Sequence, residues 1–482
     1  MPLFVGLAKA QAPRPVPPSD SVVRSVIGLL QGGDPAQRGQ VLDRILAPNA
    51  RAKDSARIDR LIDALAADGA PYEVTKIDSV GRHAFVKLRS RRVPRALTLD
   101  VAAERNGSGA VDNIEVLESH ATVLDSIQWP TTRLSSRAAL VSLLRRNLDR
   151  LANGGAFSGM VYVARGDSVV FARGYGYSDL EDSVRNGAHT RFTIASMGKM
   201  FSATAILQLV EAGKFGLDDT LAKVLPAYPN AERARRVTVR QLLEHTAGMG
   251  DQWSTPRKPV DGLTGALAYA GAVAYPPLLF DPGTRWGYSN EGYSVLAAIV
   301  EQHSGEAFAD YVQRHILDRA GMKETSLRSS GSDVVPHRAV GYYPADDDPL
   351  GVRAPRANWS FVAMGGFGGA GGGYSTVGDL ARFGKALREG RLIGPALRDS
   401  MWTGRWDVPG PYEGEKYGLG SFVARIGNRT AVGHGGGGGY GIDTGFRHFT
   451  DGSWTIVVLT NINPPTATNL TRALTNLLAA QP

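Results

Sequence analysis

The sequence predicts a multidomain α+β protein in which a small α+β domain precedes a larger domain. Three observations lead to this fold class. The chain of 482 residues is too long for one ordinary hydrophobic core. Three helical patterns near the start are followed by a run of strand patterns. Strand patterns then recur at both ends of the remaining chain, which favours one antiparallel sheet assembled from both termini around an inserted helical lobe.

The small domain is expected over residues 20–122. Helical spacing of apolar residues covers 22–30, 36–46 and 56–67, and strand patterns cover 72–80, 83–88, 96–103 and 114–118. This order resembles, in pattern only, the cystatin-like and nuclear-transport-factor-like modules found before bacterial hydrolases. The domain contains no catalytic constellation, so we expect it to act as a scaffold or to cap a pocket.

Two segments flank this domain. Residues 1–19 are expected to be a flexible arm or the remnant of a leader, because residues 13–18 (PRPVPP) favour an extended chain. The triplet Ala10-Gln11-Ala12 is similar to a signal-peptide cleavage site, which favours export to the periplasm or the medium, with the cytoplasm as the alternative. Residues 123–136 are expected to be a linker.

The large domain is expected over residues 137–482. A helix is predicted over 137–151, followed by strands over 159–165 and 168–173 that are joined by Gly166-Asp167, a hairpin signal. A long, largely helical middle follows. Strand patterns return at 418–426, 429–432, 442–449 and 454–459, and a closing helix begins near Ala467.

Composition excludes several classes of function. The absence of cysteine excludes disulfides, thiol catalysis and thiolate metal sites. No apolar run is long enough to span a membrane. The net charge is +8, but the arginines are scattered without a basic stripe, so no nucleic-acid partner is expected. The nine histidines form no metal-binding pattern and no G-x-S-x-G elbow is present. We expect a small-molecule or peptide substrate, without a metal or a cofactor.

The segment Ala195–Met200 (ASMGKM) raises a question about Lys199. A helix with apolar residues at Met200, Ala203 and Ile206 extends backward through Lys199 and Ser196, on the face that should be buried. Burial disfavours the charged form of a lysine and lowers its pKa, so it can act as a base toward a neighbouring serine. The alternative is a surface serine with a snorkelling lysine.

Two further segments carry candidate chemistry. In residues 281–290 (DPGTRWGYSN), a Pro-Gly turn holds Tyr288 just before a helix that Ser289 or Asn290 can cap. Tyr288 can transfer protons there, or it can be a packing aromatic. In residues 432–440 (VGHGGGGGY), glycines allow close approach of a substrate, and free N–H groups can stabilise an oxyanion. A loose hairpin loop and a phosphate cradle are the alternatives.

The order S-x-x-K, Y-S-N and H-G-G resembles the serine β-lactamase and penicillin-binding superfamily. The tyrosine form is similar to class C β-lactamases, the D-stereospecific peptidases of the S12 type and the family VIII carboxylesterases. Residues 242–250 (LLEHTAGMG) and 371–383 (GGGYSTVGDLARF) match as well. The resemblance covers roughly residues 137–480 and implies a β-lactamase/transpeptidase-like fold for this domain.

The resemblance also implies a role for each matched residue. Ser196 would be the nucleophile that forms an acyl-enzyme, and Lys199 and Tyr288 would share the proton transfers. Asn290 would contact an amide of the acyl group or steady Lys199. The backbone N–H groups of Ser196 and Gly437 would form the oxyanion hole.

The third motif departs from the family pattern. His434-Gly435-Gly436 stand where β-lactamases and transpeptidases have Lys-Thr-Gly, although the motif is still expected to bind substrate. Histidine is mostly neutral at pH 7, so the change argues against efficient turnover of substrates with a carboxylate. The resemblance therefore implies a broad esterase or amidase. A D-stereospecific peptidase, a DD-peptidase or β-lactamase-like enzyme, and a non-catalytic ligand-binding protein are the alternatives.

Three other features bear on the site. His245, in LLEHTAG, is a conceivable triad base, but its place at the end of a short helix favours a structural role. Residues 251–282 and 364–373 are expected to line or cover the site, as loops on a rigid scaffold commonly do.

Overall fold

The structure is a computed structural model that describes residues 17–31, 35–80, 82–92, 95–104, 108–121, 127–250, 265–274, 276–327, 334–343, 357–359, 368–409, 412, 414–438, 441–463 and 465–481. The chain forms two compact units, residues 1–119 and residues 120–482, and each is described by itself. Residues 1–16 of the predicted arm lie outside the described residues, and the predicted linker is described only from residue 127.

The first unit contains helices followed by strands, as the sequence pattern predicts. Its elements are α1 (Asp20–Leu29), α2 (Pro35–Ile45), α3 (Pro48–Gly69), β1 (Tyr72–Val80), β2 (His83–Ser90), β3 (Arg95–Ala103) and β4 (Val111–Ala121). The strands form one sheet in the order β1-β2-β3-β4. This confirms a small α+β unit ahead of the larger one.

Helix α3 is longer than the sequence predicts. It begins at Pro48, whose missing N–H costs nothing in the first turn of a helix, rather than at residue 56. Its first two turns have alanine as their only apolar residue, so they lack the spacing on which the prediction rested. Farther along, Ile58, Ile62 and Leu65 are buried at the three-four spacing of one helix face.

The second unit contains the remaining elements. Its strands are β5 (Gly159–Arg165), β6 (Ser168–Tyr175), β7 (Tyr177–Asp179), β8 (Val184–Arg185), β9 (Phe192–Thr193), β10 (Gly341–Tyr343), β11 (Ala357–Trp359), β12 (Tyr374–Ser375), β13 (Trp406–Asp407), β14 (Lys416–Tyr417), β15 (Phe422–Ile426), β16 (Arg429–Gly438), β17 (Ile442–Phe449) and β18 (Trp454–Thr460). Its helices are α4 (Arg137–Asn153), α5 (Gly198–Glu211), α6 (Leu221–Val224), α7 (Ala231–Arg236), α8 (Val239–Leu243), α9 (Ala266–Ala272), α10 (Asn290–Ser304), α11 (Phe308–Val312), α12 (Asp318–Ala320), α13 (Val377–Arg388), α14 (Pro395–Met401) and α15 (Thr466–Ala479). A 3-10 turn at Ala195–Met197 leads into α5, and a π-helical turn at Gln313–Leu317 joins α11 to α12.

One eight-stranded sheet organises the second unit. Its strand order is β13-β14-β15-β16-β17-β18-β5-β6. Strand β18, near the end of the chain, pairs antiparallel with β5, in register from Trp454 opposite Arg165 to Thr460 opposite Gly159. Helices α5 to α14 come between these two strands in sequence. The sheet is therefore assembled from both ends of the unit, which confirms the predicted architecture.

Helices cover both faces of this sheet. Strand β18 is buried along its whole length, and its alternate residues belong to different hydrophobic clusters. Ile456 and Val458 pack with residues of α4 and α15, whereas Val457 and Leu459 pack with residues of α5, α10 and α13. A strand buried on both faces needs no polar alternation, which explains the unbroken apolar run from Ile456 to Leu459.

Helix α5 differs from the prediction. Its apolar spacing predicts one buried face, but every residue from Gly198 to Leu207 is buried. Helices α10 and α11 pack against α5, and the sheet lies beside its start. The spacing identified the helix correctly but did not reveal that it is enclosed on all sides. In the part of the chain that the structure describes, no helix combines the length and the apolarity needed to cross a bilayer.

Two strand predictions in the C-terminal part are also wrong in extent. Of the strand predicted over 418–426, only β15 (Phe422–Ile426) is a strand, because the chain turns between β14 and β15 at Gly420, which has φ +81°. The strand predicted over 429–432 continues to Gly438 through the glycine run. Glycine has a low strand propensity, so this extension depends on pairing with neighbouring strands: Gly433 pairs with Phe422 of β15, and residues 433–438 pair with β17.

Candidate active site

Ser196 lies in the 3-10 turn that leads into the buried helix α5, and its side chain is half-buried. The residue before it, Ala195, has φ +43°, in the left-handed region that alanine rarely adopts. The backbone of Gly371 packs so closely here that a Cβ on it would lie 2.7 Å from the carbonyl oxygen of Ala195. Backbone strain of this kind persists only where surrounding contacts enforce it.

Lys199 is completely buried, one turn after Ser196. Its ammonium nitrogen donates hydrogen bonds to Ser196 Oγ at 3.3 Å, to Asn290 Oδ1 at 2.5 Å and to the carbonyl oxygen of Ala370. An ammonium group has three donors, and these three acceptors match them. Lys199 therefore lies on a buried face of α5, where its ammonium group contacts the hydroxyl group of Ser196.

Tyr288 and Asn290 lie on the other side of Lys199. Ser289 is the N-cap of α10, and its Oγ accepts the N–H of Gly292 at 2.9 Å, so of the two predicted caps it is Ser289 that acts. The Lys199 nitrogen lies 4.8 Å from the centroid of the Tyr288 ring. Two contacts were predicted for Asn290, with an amide of the acyl group or with Lys199. The structure shows the contact with Lys199.

Strand β16 brings the H-G-G segment beside the 3-10 turn at Ala195–Met197, called the serine turn below. A Cβ on Gly436 would lie 2.2 Å from the carbonyl oxygen of Ile194, so only glycine allows this close approach. Gly437, the next residue of β16, is exposed and pairs with Asp443 of β17. Gly435 is buried, and a Cβ there would meet the hydroxyl group of Tyr412 at 2.3 Å.

His434 has an environment that the sequence did not reveal. It is 1% exposed. Its Nδ1 lies 2.5 Å from the carbonyl oxygen of Gly435, which can only accept, so Nδ1 carries the proton and Nε2 accepts the Tyr417 hydroxyl at 3.0 Å. Burial, reinforced by the positive charge of Lys199, lowers the pKa of His434 to about 3. The imidazole is therefore neutral at pH 7, with both nitrogens engaged by protein groups.

His245 lies beside this site, although sequence reasoning favoured a purely structural role. It is 1% exposed, and its Nδ1 accepts the backbone N–H of Ser289 at 3.0 Å. Its ring centroid lies 4.3 Å from that of Tyr288. Burial, together with the charge of Lys199, holds the pKa of His245 well below its usual range. Because Nδ1 is already occupied, this geometry gives no support to a triad with His245 as base.

The glycine segment before α13 lies along α5. Ser202 Oγ donates to the carbonyl oxygen of Gly369 at 2.6 Å, and the Gly372 N–H donates to the carbonyl oxygen of Ala195 at 3.1 Å. This segment supplies the Ala370 oxygen that Lys199 contacts. Residues 251–264, 275 and 364–367 of the predicted lining segments lie outside the described residues.

Sequence reasoning missed several participants. The Ala370 oxygen is a backbone group and leaves no sequence signal. Tyr293 and Tyr417 enclose the site, and the Tyr293 hydroxyl donates to the carbonyl oxygen of Leu243 at 2.7 Å. Tyr293 could have been found from its apolar stripe on α10, whereas Tyr417 has no distinguishing pattern. Within the described residues, no group of three or more histidines and carboxylates is placed to hold a metal ion.

Comparison with known families agrees with this arrangement. The family model described as Beta-lactamase matches residues 144–481. The chain belongs to the beta-lactamase family. The match covers most of the second unit and includes the serine turn, the Y-S-N segment and the H-G-G strand. Membership places the chain among the hydrolases of the β-lactamase and penicillin-binding superfamily and confirms the resemblance found in the sequence.

Individual relatives of this beta-lactamase-family chain span part of its length. It is 30% identical over 259 residues to penicillin-binding protein 4* of Bacillus subtilis (strain 168), covering 51% of this chain and 56% of that protein. The chain thus spans little more than half the length of this curated relative.

Solved structures of the family share the fold. A penicillin-binding protein from Bacillus halodurans is 26% identical with a TM-score of 0.58, over 68% of this chain and 98% of that one. A D-stereospecific amidohydrolase from Streptomyces sp. is 26% identical with a TM-score of 0.53, over 63% of this chain and 89% of that one. The second unit is similar in structure to both of these proteins.

Proposed function

We propose that the protein is a serine hydrolase that cleaves ester or amide bonds through an acyl-enzyme on Ser196. One observation carries the proposal: the fully buried Lys199 donates to Ser196 Oγ at 3.3 Å while Asn290 and Ala370 hold its other two protons. Once this pre-positioned lysine loses a proton, its free amine is a general base beside the serine hydroxyl, and a serine next to such a base is an activated nucleophile.

Lys199 and Tyr288 share the proton transfers in this mechanism. The pair accepts a proton when it is one proton short, with Lys199 as the free amine or with Tyr288 as the phenolate. In that state Ser196 Oγ bonds to the substrate carbonyl carbon, and its proton passes to the Lys199–Tyr288 pair. The same pair delivers a proton to the leaving alcohol or amine as its bond to carbon breaks. Water then attacks the acyl-enzyme, loses a proton to the pair and releases the acid. Because the two groups lie so close, their titrations belong to the pair.

The oxyanion of the tetrahedral intermediate is assigned to the backbone N–H groups of Ser196 and Gly437. Gly436 supports this assignment, because its contact with Ile194 brings β16 against the serine turn. Two backbone donors aimed at the developing charge stabilise it without reorganisation during the reaction.

The inference about the substrate class rests on His434. Related enzymes with Lys-Thr-Gly present a cation and a hydroxyl here, whereas His434 is neutral and occupied by Tyr417 and Gly435. A substrate carboxylate therefore finds no partner charge at this position. We infer a broad esterase or amidase acting on substrates without a carboxylate near the scissile bond, with β-lactams as poor substrates.

A D-stereospecific amidase or peptidase is the second candidate. The observation in its favour is the similarity to the Streptomyces amidohydrolase at 26% identity. The same serine, lysine and tyrosine would catalyse this reaction. It is narrower than the first candidate, because it requires an amine leaving group and the D configuration in the acyl side chain.

The test compares wild type with Ser196→Ala on p-nitrophenyl butyrate, on D- and L-alanine p-nitroanilide, and on the chromogenic cephalosporin nitrocefin. We expect rapid ester cleavage, slower anilide cleavage, the lowest rate with nitrocefin, and none of these in the mutant. A preference for the D-anilide would favour the second candidate, and fast nitrocefin turnover would contradict the inference from His434.

A non-catalytic ligand-binding protein on the same fold is the remaining alternative. It predicts that wild type and Ser196→Ala are equally inactive on every substrate. It also predicts that a fluorophosphonate probe, which labels activated serines, leaves Ser196 unmodified in intact-mass spectra. Labelling of wild type but not of the mutant would exclude this alternative.

A further inference from the structure

The turn that carries Tyr288 is held by His245, a residue outside the three motifs. The backbone oxygen of His245 accepts the N–H of Gly287 at 2.8 Å, and its Nδ1 accepts the N–H of Ser289 at 3.0 Å. One bond acts on the residue before Tyr288 and the other on the residue after it. The backbone of Tyr288 is therefore fixed from both sides by a single residue.

The imidazole ring also contacts Tyr288 directly. The two ring centroids are 4.3 Å apart with an angle of 36° between the planes. On its other sides the imidazole packs against Tyr293 and Tyr417, with centroid distances of 4.9 and 4.8 Å. A ring enclosed in this way has one orientation, and it limits where the phenol ring of Tyr288 can lie.

The backbone conformation and the hydrogen bonding of His245 are both energetically unfavourable. It has φ +60°, a left-handed conformation that is uncommon for residues other than glycine. Because Nδ1 accepts a hydrogen bond, the proton of the neutral ring is on Nε2, and this nitrogen has no hydrogen-bond partner among the described residues. Strain and an unpaired buried donor at one residue beside a candidate site indicate a functional constraint.

We propose that His245 is a positioning residue that holds the Tyr288 phenol against Lys199 for proton transfer. The inference rests on the proposed function. Lys199 lies 4.8 Å from the Tyr288 ring centroid, and small displacements of catalytic groups slow a reaction strongly. The hydrogen bonds of His245 within the described residues go to the Tyr288 turn and to α8, and none goes to β16, the strand assigned to substrate binding. Loss of the histidine should therefore lower kcat and leave KM nearly unchanged.

The test replaces His245 in three ways. His245→Phe keeps an aromatic ring but cannot accept the Ser289 N–H. His245→Asn retains an acceptor in the place of Nδ1 and tolerates a positive φ. His245→Gly removes the side chain and accepts the backbone conformation without strain, so it remains informative if the phenylalanine variant does not fold.

With p-nitrophenyl butyrate, we expect kcat to fall about 100-fold in the phenylalanine and glycine variants, with KM within about twofold of wild type. The kcat of the asparagine variant should be about tenfold higher than that of the phenylalanine variant, because the bond to Ser289 is restored. His448→Phe is the matched control. His448 is also 1% exposed with an unpartnered Nε2, but it packs against Trp402, and its kcat should stay within about twofold of wild type.

The outcomes separate the inference from the function on which it rests. If a fluorophosphonate labels wild-type Ser196 but labels the folded glycine variant at the same rate, the positioning role is wrong and the serine hydrolase stands. The positioning role is also wrong if kcat falls equally in the asparagine and phenylalanine variants and this fall follows their loss of melting temperature. His245 would then have only a structural role. If wild type is not labelled, the proposed function fails and the inference fails with it.

Discussion

The ammonium nitrogen of Lys199 lies 3.3 Å from the hydroxyl oxygen of Ser196, inside a helix that has no solvent-facing side at this point. A lysine in such a place needs all its protons accepted, since an unpaired buried charge is strongly destabilising. The acceptors come from the serine turn, from the start of α10 and from the glycine segment before α13. Lys199 is thus the point at which three separate parts of the chain meet.

Replacement of Lys199 by methionine should abolish most activity without unfolding the protein. Methionine has a similar volume and no charge, so the buried cation is removed and the packing is kept. We expect kcat for p-nitrophenyl butyrate to fall by at least about 10³-fold, because proton transfer from Ser196 loses its partner. Lys385→Met is the control, since Lys385 is a surface residue paired with Asp167. A Lys199→Met variant with more than about a tenth of wild-type activity would contradict the role.

Asn290→Asp should move the pH dependence of the rate upward. Asn290 Oδ1 lies 2.5 Å from the Lys199 nitrogen, and a carboxylate there favours the charged ammonium over the free amine. The pH at which kcat reaches half its maximum should rise by at least about one unit. Asn290→Ala removes the acceptor without adding charge and should show no such rise. Identical pH–rate profiles for the aspartate variant and wild type would show that Lys199 is not the titrating group.

Gly436→Ala should damage both activity and stability. The added Cβ would lie 2.2 Å from the Ile194 oxygen and 2.7 Å from Thr444 Oγ1, so β16 has to move away from the serine turn. Overpacking of this kind costs about 1–3 kcal/mol, and we expect kcat to fall about 100-fold as the oxyanion donors separate. Gly187→Ala is the matched control, because a Cβ there meets nothing within 4 Å. Full activity in Gly436→Ala would be inconsistent with a rigid contact at this position.

His448 should contribute to instability in acid. Burial lowers its pKa from 6.5 to about 4, so between these values the unfolded chain binds a proton that the folded chain does not. The free energy of unfolding therefore decreases as the pH falls through this window, by about 2–3 kcal/mol for this residue between pH 7.5 and 4.5. Replacement by phenylalanine should remove that part of the decrease.

Urea unfolding followed by tryptophan fluorescence measures this effect in the second unit, because all 7 tryptophans lie after residue 120. The comparison needs wild type and His448→Phe at both pH values. An equal loss of stability in the two proteins would show that His448 is not buried in its neutral form.

Much of this protein was determined by local sequence. The strands over 72–80, 159–165 and 442–449 begin and end as the apolar patterns indicate, because a strand pattern depends on adjacent residues alone. The candidate nucleophile and its lysine could be singled out for the same reason, since a spacing of three residues on a helix places both side chains on one face. The family could be inferred from the order of the motifs.

Only the tertiary structure decided how these parts meet. The contacts of Lys199 with Asn290 and Ala370 join residues 91 and 171 positions apart, and that of His245 with Ser289 spans 44 positions. No local period encodes such distances. Whether α5 is enclosed, whether His434 is neutral and whether the glycine run is a strand all depend on burial and hydrogen bonds supplied by distant elements. Those environments set the charge and position of each group, and these determine what the residues can do.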